Sequence, residues 1–128
     1  MRLSSGFKDL KEGRERLLTI TKATYDAKFD KARINFRDED GGTGVESFLF
    51  VNASDEPNEV ALNLFSTLVK CALHDWSLEE FDDWDSLTGC QVLADVTRTP
   101  SKDGERMFTN VGRYKEAPIE DDDLSDIL

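Results

Sequence analysis

The sequence predicts a small, mainly β domain: a five-stranded barrel with one helical insertion, followed by an acidic C-terminal tail. Three observations carry this. Apolar and polar residues alternate in five short runs, the period of a strand with one buried face. Between the third and fourth runs the apolar spacing lengthens to that of a helix. After Pro118 the chain holds little besides acids and a few apolar side chains.

The first run, "RERLLTITKATYDA", is rich in Leu, Ile, Thr and Tyr and alternates at Leu18-Thr19-Ile20. In "KARINFR", Ala32, Ile34 and Phe36 point one way and Lys31, Arg33, Asn35 and Arg37 the other. The three glycines of "DEDGGTG" make a turn. A third strand, "VESFLFVN", puts Val45, Ser47, Leu49 and Val51 on one face and Glu46, Phe48, Phe50 and Asn52 on the other. The segment "SDEPNEVALNLFSTLVKCALHDW" then spaces Val60 or Ala61, Leu64, Leu68 and Cys71 or Ala72 for a helix, with Leu62, Phe65 and Val69 widening the stripe. Ser54 or Asp55 is its expected N-cap, with Pro57 in the first turn. Ser77 and Glu80 match a capping box and predict a second short helix, closed by Gly89. Strand spacing returns in "CQVLADVTRT" and, after the loop "PSKDGER", in "MFTNVGRYK". Three strands, a helix and two strands are the order of an OB-fold, a five-stranded Greek-key barrel. On this reading residues 1–116 form the domain and 117–128 the tail.

A chain of 128 residues, 38% hydrophobic, supports one domain with a real core. No run approaches the ~20 apolar residues of a membrane span, and the N-terminus has no apolar signal region. Cys71 and Cys90 fit no metal or redox spacing and read as free thiols of a reducing compartment. The expected location is cytoplasmic, the host cytoplasm if a phage encodes the chain. Catalysis finds no support. His74 and Cys71 are two ligands at most, too few for zinc. "DGGTGVES" lacks the lysine and following helix of a phosphate loop. No cofactor or metal is expected.

The net charge of -11 argues against nucleic acid until it is divided. Residues 1–54 carry +1, 55–89 carry -8, 90–115 carry +2 and 116–128 carry -6. All but one of the 16 bases thus lie outside the acidic middle and tail, and local potential governs what a surface attracts. In an OB-fold, oligonucleotides lie on strands 2 and 3 and against the 1–2 and 4–5 loops. Those places hold Tyr25, Lys28 and Phe29; Lys31, Arg33, Asn35 and Arg37; Phe48 and Phe50; and Arg98, Lys102, Arg106 and Phe108. Bases for phosphates interleaved with rings for stacking are what sequence-independent single-strand binding requires. Trp76 and Trp84, in the acidic segment, read as packing residues.

The opening "GFKDLKEGRERLLTITKATY", with Phe7, Leu10 and Gly13 leading into the first strand, resembles small phage and prophage single-stranded DNA-binding proteins. "NEVALNLFSTLVKCAL", "LTGCQVLADV" and "FTNVGRYKEA" are similar to that family's helix, fourth and fifth strands, so the likeness runs over roughly residues 7–117. It implies an OB-fold and single-stranded DNA binding in phage replication or recombination. The ending "EDDDLSDIL" resembles the acidic, apolar-tipped tails of bacterial and phage single-stranded DNA-binding proteins, although it lacks the Pro-Phe of the bacterial tip. That likeness implies that Asp121, Asp122, Asp123 and Asp126 steer the tail to basic pockets on replication or recombination proteins. Leu124, Ile127 and Leu128 would anchor it there. A homodimer stays open. The competing readings are an acidic DNA mimic and an OB-like protein adaptor.

Overall fold

A computed structural model of the chain describes residues 9–100, 102–104 and 107–118. In chain order these form β1 (Gly13–Asp26), β2 (Lys31–Asp38), β3 (Thr43–Leu49), α1 (Glu59–Leu73), a 3-10 turn (Trp84–Leu87), β4 (Gln91–Pro100) and β5 (Met107–Glu116). All strand pairings are antiparallel, in the order β3-β2-β1-β4-β5. β1 is the centre of the sheet. Its second half pairs with β2 and its first half with β4.

The five strands and single inserted helix match expectation. Among the described residues the sheet is open and not a closed barrel, because no ladder joins the edge strands β3 and β5. The sheet is nevertheless strongly curled. Phe36 on β2 stacks with Tyr114 on β5, ring centroids 6.4 Å apart. In a flat sheet three strand spacings would hold them roughly 14 Å apart. Across the open edge the Glu46 carboxylate of β3 accepts a hydrogen bond of 2.8 Å from the Val111 N–H of β5.

The core fills the inside of this curl. Leu18, Ile20, Ala32, Ile34, Phe36, Val92, Ala94 and Val96 are buried, as their alternation dictates. β1 changes parity midway. A bulge between Ile20 and Lys22 lets Leu18 and Ile20 face inward and then Ala23, with Lys22 and Thr24 outward. The chain before β1 plugs one end. Leu10 is fully buried, and its N–H bonds the Thr43 carbonyl at 3.1 Å. A buried carboxylate, Asp38, holds this plug to the β2–β3 turn, accepting from the N–H groups of Lys11, Asp40 and Gly42 and from Arg16. Gly42 is fixed by close approach, since a Cβ there would sit 2.3 Å from the Asp9 carbonyl oxygen.

The helix starts later than its polar residues suggest. Asn58, not Ser54 or Asp55, is the N-cap, accepting from Ala61 N–H and donating to the Leu49 carbonyl. The earlier candidates are used up in a turn around Asn52, whose side chain accepts from the N–H groups of Ser54 and Glu56. The buried stripe is Ala61, Phe65, Leu68, Val69, Cys71 and Ala72, while Val60, Leu62 and Leu64 are exposed. The second predicted helix does not form. Ser77 spends its N–H and hydroxyl on Asp75, and only the turn Trp84–Leu87 is helical. Glu79, Glu80, Asp82, Asp83 and Asp85 would repel one another at helical spacing. Among the described residues no helix is long and apolar enough to cross a membrane.

Candidate nucleic-acid interface

The outward face of β1, β2 and β3 follows from pairing register. Lys31, Arg33, Asn35 and Arg37 alternate with buried Ala32, Ile34 and Phe36 and therefore point out. Opposite them on β3 stand Leu49, Ser47, Val45 and Thr43, and on β1 stand Asp26, Thr24, Lys22 and Thr19. Four bases, Lys22, Lys31, Arg33 and Arg37, thus share one face with the acid Asp26, small polar residues and two exposed aliphatics. Val45 is 39% exposed and Leu49 46%. Among the described residues no carboxylate lies within ion-pair distance of any of the four. Elsewhere some bases are paired: Lys115 with Glu15 at 2.6 Å, and Arg16 with Asp38 and Asp40 at 3.3 and 3.2 Å.

At one end of this face the turn 27–30 carries Phe29, 56% exposed, with the Lys28 ammonium 5.4 Å from its ring centroid. Beneath the turn is a concavity of about 440 Å³ lined by Thr24, Tyr25, Asp26, Ala27, Lys31 and Arg33. Loop phenylalanine, lysine and β2 bases are therefore brought together as the sequence predicts.

Other expected members are not. Phe48 and Phe50 are buried, 4% and 8% exposed, with their rings 5.4 and 5.3 Å from Phe65 of α1. The core takes both, and Leu49 and Val45 take the outward positions. Tyr25 shares the parity of Ala23 but stays 40% exposed and lines the concavity beside Lys31 and Arg33. It stacks on Trp84 at 5.2 Å with planes 8° apart and donates its hydroxyl to Asp30 at 2.5 Å. That bond to a carboxylate holds the Tyr25 phenol above its ordinary range. Arg98 is half-buried and donates to the Leu10 carbonyl at 2.7 Å, clamping the N-terminal plug instead of facing a ligand. Lys102 and Phe108 are exposed at the β4–β5 hairpin, but register places that hairpin beyond the Gly13 end of β1, opposite the turn 27–30. Arg106 and the tail residues Asp121, Asp122, Asp123, Leu124, Asp126, Ile127 and Leu128 lie outside the described residues.

Sequence reasoning missed Lys22, Val45 and Leu49. Lys22 was findable. The apolar parity changes from Leu18 and Ile20 to Ala23, and only a bulge reconciles the two halves of the strand.

The remaining titratable groups offer no reactive centre among the described residues. His74 is the left-handed C-cap of α1, and its ring bonds Glu116 at 3.0 Å. Trp76 also donates to Glu116, and these two partners hold that carboxylate below its ordinary range. Cys71 and Cys90 are free thiols raised by burial, Cys71 also by Glu116. That is the reverse of an activated nucleophile. No group of three or more His, Cys, Asp or Glu among the described residues could hold a metal. No family model matches the chain, and no curated protein does.

Proposed function

We propose that this protein binds single-stranded DNA without sequence preference, using the outward face of β1, β2 and β3. The observation that carries the reading is the set Lys22, Lys31, Arg33 and Arg37 on one face, without ion pairs among the described residues, ending at the exposed Phe29. Bases of this kind track a phosphate backbone, and a ring at the end of the track stacks a nucleobase. Val45 and Leu49 give flanking apolar contact. The reading takes the curled sheet as a partly open OB-fold, with its edges bridged by Glu46 instead of a ladder. The strand order, the curl and the helix between β3 and β4 support that assignment. The likeness of the sequence to small phage single-stranded DNA-binding proteins supports it too, and with it a role in replication or recombination. The acidic tail recruits partner proteins and competes with DNA for the basic face. A DNA mimic would have no use for four unpaired bases on one face.

Fluorescence anisotropy with a labelled poly-dT of about 30 nucleotides tests this, with matched RNA and duplex DNA alongside. Micromolar or tighter binding to the single strand, weaker for duplex and weakened by salt, is the expected result. Absence of binding at low salt, both for the full chain and for a chain ending at Pro118, would end the reading.

A further inference from the structure

A second surface has the opposite charge. Between α1 and the irregular segment 78–83 lies a cleft of about 720 Å³, floored by Phe50, Phe65, Phe81 and Trp84 and walled by Leu62 and Tyr25. Its rings form a continuous cluster. Trp84 lies 5.3 Å from Phe65 and 5.1 Å from Phe81, and its other contact is Tyr25. Trp84 is stacked with Tyr25 and Phe65 and met edge-on by Phe81, so the floor is a preformed apolar surface. The rim is acidic. Glu79, Glu80 and Asp82 line it, with Lys70 the cation among the lining residues. Among the described residues none of these three acids has a base within ion-pair distance.

The segment itself is written for this arrangement. Leu78, Phe81 and Trp84 recur every third residue and turn toward the core, and acids occupy the positions between them. Five carboxylates within 79–85 repel one another, and no described partner relieves them. A ligand that fits must place an apolar group on the aromatic floor and positive charge against the rim. Nucleic acid fails the second requirement, and so does the acidic tail of this chain. We propose that the cleft docks a basic, apolar-anchored peptide segment of a partner protein, one with Leu, Phe or Trp flanked by Lys or Arg. The site shares Tyr25 with the concavity beneath the turn 27–30 but none of the bases of that face, and it does not depend on that face binding DNA. Occupied together, the two surfaces would join a cationic partner to a coated strand without competition for one face.

Trp84 makes the test direct. In the full chain carrying Trp76→Phe, a tryptophan-free peptide with leucines at helical spacing and lysines or arginines elsewhere is titrated while Trp84 emission is followed. A twin with glutamate at every basic position is run beside it. The basic peptide is expected to bind in the micromolar range, shift Trp84 emission and lose affinity in salt, and the acidic twin to do none of these. Glu79→Lys with Glu80→Lys, both exposed and outside the core, should weaken the basic peptide by about tenfold or more. Leu62→Glu, on the exposed helix wall, should weaken it without unfolding the protein. No binding of the basic peptide would overturn the proposal. Equal binding by the wild type and the two rim and wall variants would also overturn it, since attraction to the net acidic surface would then suffice.

Discussion

Asp38 and Glu46 are two carboxylates in one sheet with opposite consequences for stability. Burial alone would raise Asp38, but the N–H groups of Lys11, Gly42 and Asp40, with Arg16, outweigh it and hold Asp38 below its ordinary value of 3.8. A depressed native value stabilises the fold above the ordinary range, and that contribution is lost as pH falls below it. Glu46 is the reverse. Burial raises it above 4.5, only partly offset by the Val111 N–H, so its contribution is present at low pH and lost as pH rises through the raised value. Asp38→Ala should cost about 3 kcal/mol in urea unfolding at neutral pH, because several backbone donors lose their acceptor at once. Glu46→Gln keeps an acceptor for Val111 and removes the buried charge, so it should hold or raise neutral-pH stability. Glu46→Ala should lower it by about 1–2 kcal/mol. Equal effects of the two Glu46 changes would show that the bond across the edge contributes nothing.

Phe65 makes α1 part of the fold instead of a cover over it. One ring meets Phe48, Phe50, Phe81 and Trp84. Phe65→Ala should cost about 3–5 kcal/mol by chemical denaturation, and a loss under 1 kcal/mol would mean the cluster collapses onto the gap. Asn58→Ala should cost about 1 kcal/mol through the cap. At this scale the strands were legible, because alternation such as that of "KARINFR" is a local signal. The facing of β3 was not. Both of its faces carry apolar residues, and the choice is made by Phe65, fifteen residues beyond Phe50 and on another element. The segment 78–83 was misread for a related reason. A capping box matched locally, but the hydroxyl it needed was taken by Asp75. In the candidate site the β2 bases and Phe29 were legible. The loss of Phe48 and Phe50 to the core was not, since it depends on how far the sheet curls.

Among the described residues the molecule is a dipole of function: bases without ion pairs on one face, acids without ion pairs around an aromatic cleft, and Tyr25 in the strand between them. Net charge conceals this. If all four bases of the β1–β2–β3 face meet phosphates, log affinity for single strands should fall against log salt with a slope of roughly -3. Arg33→Glu with Arg37→Glu should nearly abolish binding, and Phe29→Ala should weaken it by about 1–3 kcal/mol with the slope unchanged. Wild-type affinity in both variants would place the DNA elsewhere. A tail truncation should begin at residue 119, since Ala117 is buried. It should tighten binding most at low salt.

The central place of β1 also sets an order of assembly. Its partner β2 follows after a four-residue turn, so β1, β2 and β3 can pair as soon as they are made. The first half of β1 must wait for β4, and the contact of Thr19 with Gln91 spans 72 residues. Until then a strand edge at Leu17 and Leu18 stands open on the nascent chain, the kind of edge that recruits other strands. The late-arriving hairpin of β4 and β5 is therefore the step at which this chain either completes itself or aggregates. Pulsed hydrogen exchange should find amides of β1 that face β2 protected before those that face β4.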